Sequence, residues 1–65
     1  MGTVIWESSI ENRHFRLVER IDGGVTKFVL EENKGPDALD NPRWDLPDPI
    51  SSSVIAEIMV AYKNA

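Results

Sequence analysis

His14 is the only histidine in the 65-residue chain, and an imidazole is the side chain best suited to act as acid, base or ligand near neutral pH. On the strand register that the turn signals favour it falls opposite Glu31 on the outer face of a sheet, so a cross-strand His–Glu pair is expected. The sequence supplies no second histidine, no cysteine and no recognisable nucleophile motif beside it. A lone imidazole defines no reaction class, and a multi-histidine or thiolate metal site within one chain is excluded.

The other chemistry-bearing residues are weaker. Asp37, Asp40, Asp45 and Asp48 could suggest calcium, but their spacing lacks the alternating ligands and central glycine of an EF-hand loop, and the interleaved prolines hinder wrapping. Ser8-Ser9 and Ser51-Ser52-Ser53 have no Gly-x-Ser-x-Gly elbow or Ser-x-x-Lys pair around them. Gly23-Gly24 is followed by no Gly-Lys-Ser/Thr, and reads as a turn instead of a phosphate cradle. The expectation is therefore a non-enzymatic chain with no catalytic residue, no metal and no cofactor.

Charge narrows the choice of partner. Between Glu31 and Asp48 six acids face only Lys34 and Arg43, whereas the remaining five acids and five bases cancel, so the whole net charge of −4 sits in that segment. A large opposing field argues against wholesale nucleic-acid binding. The N-terminal Met1-Gly2-Thr3-Val4-Ile5-Trp6 lacks a basic region and a long apolar run, and no stretch reaches the length of a membrane span. A cytoplasmic protein without membrane contact is expected, the lack of cysteine being compatible with a reducing compartment.

The elements that must position these residues follow from turn signals and periodicity. One α+β domain over 1–65 is predicted, a three-stranded antiparallel meander over about 3–10, 13–21 and 25–32 followed by one helix. Asp22-Gly23 suits the positive φ angles of a type I′ turn, which sets Leu17 opposite Phe28, Phe15 opposite Leu30 and Arg13 opposite Glu32. The alternative loop at Gly23-Gly24 sets Arg20 against Lys27 and Glu19 against Phe28, which cross-strand pairing disfavours. A turn at Glu11-Asn12 puts Trp6 opposite Leu17, Glu7 opposite Arg16 and Ile5 opposite Val18. The predicted core face is Val4, Trp6, Phe15, Leu17, Phe28 and Leu30. The outer face carries Ile5, Glu7, His14, Arg16, Val18, Arg20, Val25, Lys27, Val29 and Glu31, with no aromatic.

Residues 33–48 hold three of the four prolines and read as a long, stiff, acidic loop, with Trp44 and Leu46 folding back over the open end of the core. A helix over about 49–63 then packs on one sheet face. Asp48 is its expected N-cap and Pro49 its first residue, and Val54, Ile55, Ile58, Ala61 and Tyr62 form the buried stripe. Its back, with Ala56, Met59 and Val60, is unusually apolar, which points to a dimer or a protein partner.

These features favour a self-associating protein-interaction module working through the outer sheet face or the acidic loop around Trp44. The residues expected to carry it are Arg16, Val18, Arg20, Val29, Asp40, Arg43, Trp44 and Asp45. A small nucleic-acid-associated regulator using the Arg16, Arg20 and Lys27 stripe is the alternative, and a site built around His14 at a subunit interface comes third.

Overall fold

Four residues with positive φ set the two tight turns of the sheet. Glu11 (φ 52°) and Asn12 (φ 64°) make one, Gly23 (φ 59°) and Gly24 (φ 79°) the other, in each case the pair of left-handed residues that a type I′ hairpin requires. The computed structural model describes residues 2–64, so Met1 and Ala65 lie outside the described residues. It is an antiparallel sheet in the order β1 (Gly2–Ile10), β2 (Arg13–Asp22), β3 (Val25–Pro36) and β4 (Pro42–Asp45), with one helix, α1 (Ser52–Lys63). The α+β class, the meander and the C-terminal helix are as the sequence predicts.

The expected long loop is instead a fourth strand. β3 continues past Glu32 to Pro36 and turns back into β4, with Pro36 opposite Pro42 and Asn33 opposite Trp44. A register shift between Asn33 and Pro36 accommodates Gly35 at φ 97°, whose N–H donates to the Asn33 side chain at 2.9 Å. The turn itself is tied by the Asp37 carboxylate, which accepts the N–H groups of Leu39 and Asn41. β4 is an edge strand that begins with proline, where the missing donor costs no ladder bond.

The β2–β3 register is the one that charge pairing disfavours. Leu17 lies opposite Leu30, Glu19 opposite Phe28 and Arg20 opposite Lys27. Two glycines relieve the left-handed conformation that Asp22 would otherwise have to adopt, and the facing cations find other partners: Arg20 reaches Glu31 at 3.3 Å and Lys27 reaches Asp22 at 3.8 Å. In the first hairpin Trp6 faces Leu17 and Glu7 faces Arg16 as expected. A bulge at Ile5 brings Val4 opposite Val18 in place of Ile5.

The core is accordingly smaller than the predicted face. Trp6, Ile10, Phe15 and Val54 are buried together, with Leu17, Leu30, Ile50, Ile58 and Ala61 packed around them. Phe15 is fully enclosed, whereas Val4 is exposed and Phe28 is 60% exposed. α1 packs over β1 at one side of the sheet, so the Phe28 end of the same sheet face stays uncovered.

The helix starts later than expected. Ser51, not Asp48, is the N-cap, its Oγ accepting the Val54 N–H at 3.3 Å. Val54, Ile58 and Ala61 face the sheet, while Ile55 and Tyr62 are exposed. Asp48 is used elsewhere. Its carboxylate takes Lys34 Nζ at 2.7 Å, and its N–H donates to Glu32. Replacing Ser51 by alanine should cost about 1 kcal/mol of stability. Urea denaturation will check this, with Ser52→Ala as the comparison, since the Ser53 hydroxyl itself bonds the Ser51 cap at 3.0 Å.

Candidate functional site

Side-chain alternation assigns one face of the sheet to solvent, because paired residues share a face and α1 covers the other. The outer face carries Gly2, Val4, Glu7 and Ser9 from β1; His14, Arg16, Val18, Arg20 and Asp22 from β2; Val25, Lys27, Val29, Glu31 and Asn33 from β3; and Trp44 from β4. Trp44 therefore does not cap the core, and Leu46 is 69% exposed. The short fourth strand puts an aromatic on the face that the sequence pattern leaves without one.

Around Trp44 the face is built in layers. The Arg16 guanidinium lies 4.3 Å from the Trp44 ring centroid, a cation–π distance. Glu31, on the strand between them, fixes the guanidinium by accepting Arg16 Nε at 2.7 Å. Glu31 is itself buried and takes Arg20 at 3.3 Å. The imidazole of His14 tilts against the same tryptophan at 5.5 Å. His14 does not pair with Glu31. Its neighbours are the cross-strand Ser9, whose Oγ is 2.7 Å from Nδ1, and Glu7, whose carboxylate is 2.7 Å from Nε2.

Below this cluster the face turns aliphatic. Val18 is buried between Val4 and Val29, and Gly2 lies so close that a Cβ there would meet a Val18 methyl at 2.9 Å. Gly2, Val4, Val18, Arg16 and Arg20 line a shallow depression of about 360 Å³. An apolar floor beside an Arg–Trp stack, rimmed by charges, is the composition of a protein-binding patch.

Of the predicted interaction residues, Arg16, Val18, Arg20, Val29 and Trp44 are brought together on this surface. Asp40, Arg43 and Asp45 are not. Asp40 sits in the β3–β4 turn with φ 65°. Arg43 stitches the hairpin by donating to the carbonyls of Lys34 and Gly35. Asp45 pairs with Glu32 on the opposite face. Glu7, Ser9 and Gly2 belong to the patch although the sequence does not single them out for it. The signal for Trp44 lay in the Lys34-Gly35-Pro36 and Asn41-Pro42 punctuation, which marks a hairpin with an edge strand.

The face carries three carboxylates (Glu7, Asp22, Glu31) against three permanent cations (Arg16, Arg20, Lys27), each cation paired. With the ring proton on Nε2, His14 donates to Glu7 and accepts the Ser9 hydroxyl on Nδ1, the relay that raises a serine's nucleophilicity. Acyl transfer further requires donors aimed at a developing oxyanion. Ser9 borders the groove of about 540 Å³ beside α1, whereas His14 and Glu7 line neither it nor the depression at Gly2, and the imidazole rests against Trp44. No group of His, Cys, Asp and Glu among the described residues is arranged to hold a metal ion. No helix among them is long and apolar enough to cross a membrane.

The opposite face holds one strongly perturbed carboxyl. Glu32 accepts Arg13 Nε and Nη2 at 2.7 Å each, and the Asp48 N–H at 3.1 Å. These bonds, the Arg13 pair first, hold its pKa down to about 2 despite its burial. Arg13 is raised by the same pair, and Lys34 is raised by its bond to Asp48. This cluster fastens the segment that leads into α1.

No known protein family, curated protein or solved structure matches the chain.

Proposed function

We propose that the chain is a non-enzymatic protein-interaction module whose docking surface is the outer sheet face centred on Trp44 and Arg16. The observation that carries this reading is the Arg16–Trp44 stack at 4.3 Å, held by the buried Glu31 beside the aliphatic Val4, Val18 and Val29. Tryptophan and arginine are the residues most enriched at binding hot spots. Here both are held in position before a partner arrives, which reduces the ordering cost of association.

Replacing Trp44 by alanine should weaken partner binding by about 2 kcal/mol or more, roughly 30-fold, while leaving the fold intact, because Trp44 lies outside the core. The check is capture of a partner from the source cells by wild type and variant, followed by titration of that partner. In a Trp6→Phe background the remaining Trp44 fluorescence should shift on binding. A partner that binds the Trp44→Ala variant with unchanged affinity overturns the reading.

Trp44 also supports a second reading, contact with single-stranded nucleic acid, since bases stack on aromatic side chains beside cations. Charge disfavours it, because Arg16, Arg20 and Lys27 are already paired with carboxylates. Absence of retardation of a single-stranded oligonucleotide at low salt removes this reading, whereas salt-dependent binding promotes it over the first.

A further inference from the structure

The 65 residues have a radius of gyration of 12.6 Å, the value expected of a compact domain of about 100 residues. Their accessible surface is 4797 Å². A monomer of this mass should expose about 4,200 Å², so roughly 600 Å² is exposed in excess. A standard protein–protein interface covers about 800 Å² on each partner. The chain therefore presents as surplus an area close to one side of an interface.

Two features place that interface at β1. First, β1 is a nine-residue edge strand with one neighbour, β2. Its sequence Gly-Thr-Val-Ile-Trp-Glu-Ser-Ser-Ile contains no proline or lysine and a single charge, Glu7. Edge strands are ordinarily blunted by lysine, proline or shortness, as β4 is by Pro42 and its four residues. On β1 the bulge at Ile5 leaves Trp6–Ile10 regular, and the backbone donors and acceptors on the side away from β2 have no strand partner.

Second, α1 packs against β1 and shares a groove with the end of that strand. Ala56, Glu57, Val60 and Ala61 form, with Ser8–Glu11, an open groove of about 540 Å³. At 100° per residue these helix positions make up one flank, and Ile55, Met59 and Tyr62 make up the other. Val60 is 58% exposed although it stands directly over the groove. A hydrogen-bonding edge roofed by an aliphatic helix flank specifies a β-strand carrying its own apolar cover.

We propose that the occupant is β1 of a second copy, paired antiparallel across a two-fold axis into a continuous eight-stranded sheet, with the Ala56/Val60 flanks of the two helices packed together. The arrangement is isologous, so it consumes the β1 edge of each copy, leaves only the short, proline-headed β4 edges outside, and closes instead of propagating. It leaves the Trp44 face open in each subunit, so it stands independently of the docking surface proposed above. Glu11 and Glu57 border the groove. Both copies bring these acids to the same interface, so added salt should strengthen the dimer by screening them, whereas salt would weaken capture of a basic peptide.

The test is sedimentation equilibrium at about 100 μM on the wild type and on Val60→Lys, Met59→Lys and Trp44→Ala. The expected result is a dimer for the wild type that becomes a monomer in Val60→Lys and persists in the other two, with circular dichroism unchanged throughout. Because the chain is free of cysteine, Glu7→Cys, Ser8→Cys and Ser9→Cys give a second measure. At least one of the three should form a disulfide-linked dimer on mild oxidation, and Lys27→Cys should form none. A wild-type monomer at that concentration overturns the proposal. So does a dimer that survives Val60→Lys but is lost in Met59→Lys, which would place the interface on the other flank of the helix.

Discussion

Replacing Glu32 by glutamine should remove a large part of the stability of this domain. The carboxylate is buried, takes both donors of the Arg13 fork at 2.7 Å, and accepts the backbone N–H of Asp48 at 3.1 Å. Arg13 in turn donates to the carbonyls of Asp48 and Pro49. One ion pair thus joins β2 and β3 to the irregular segment entering α1. An amide in its place leaves the part-buried Arg13 charge uncompensated and weakens the bond to Asp48. Because Arg13 keeps a quarter of its side chain in water, the loss is that of a buried acceptor's charged hydrogen bonds, roughly 1–3 kcal/mol, set against the total of about 3–5 kcal/mol that a core of this size supplies. Urea denaturation at pH 7 should find Glu32→Gln with a clearly lowered midpoint, and Glu19→Gln, on β2 away from this cluster, within about 0.5 kcal/mol of wild type.

The same pair gives the domain an acid limit. The folded-state pKa of Glu32 is depressed, from 4.5 to about 2, so its contribution is fully present above the unfolded value. It is lost as pH falls from about 4.5 through about 2, where folding demands release of a proton that the unfolded chain keeps. Stability should drop steeply in that window. If Glu32→Gln retains enough structure to be measured, its profile there should be flatter. A wild-type profile that stays level to within about 1 kcal/mol from about pH 5 down to about pH 2 would show that the pair contributes nothing net.

How much of this was legible in the sequence depends on which physical signal each feature uses. The faces of β2 and β3 were legible even though their pairing was not, whereas on β1 the bulge moves Val4, expected in the core, to the outer face. Moving the loop from Asp22-Gly23 to Gly23-Gly24 shifts every partner by two residues, and side-chain alternation has a period of two. Arg16, Val18, Arg20, Lys27, Val29 and Glu31 therefore share the outer face in either register. The pairs themselves were decided by backbone chemistry, since two glycines accept the left-handed turn more readily than aspartate followed by one. The charge pattern that pointed the other way was overridden because Arg20 and Lys27 each find a carboxylate on the same face.

The fourth strand was hidden for a different reason. Four residues, two of them charged and one a proline, carry no periodicity, and the acidic composition of the segment resembles a loop. Its Trp44 is the element that changes the outer face from a mixed charged surface into one with an aromatic centre. The helix start was misplaced because Asp48 is a good cap in isolation, but here its carboxylate binds Lys34 and its N–H binds Glu32, leaving Ser51 to begin the helix. Such tertiary recruitment of a local signal leaves no trace in the sequence around it.

The register finds its sharpest test in a pair of identical substitutions, Phe15→Ala and Phe28→Ala. Both phenylalanines lie on the helix-side face, and the Asp22-Gly23 register would make both of them core. In the structure Phe15 is fully enclosed by Trp6, Ile10 and Val54, with the Arg13 guanidinium 5.1 Å from its ring, while Phe28 is 60% exposed beyond the reach of α1. Truncating a buried phenylalanine costs about 3–5 kcal/mol through lost transfer free energy and the cavity left behind, and this core has few neighbours able to collapse into the gap. Phe15→Ala should therefore be unfolded at 25 °C by circular dichroism. Phe28→Ala should keep its urea midpoint, since substitutions at exposed positions stay within about 0.5 kcal/mol. Equal costs at the two positions would mean that Phe28 is covered, either by the other hairpin register or by a partner lying over the open half of the sheet. Those two cases separate on dilution, because a register is independent of concentration and a partner is not.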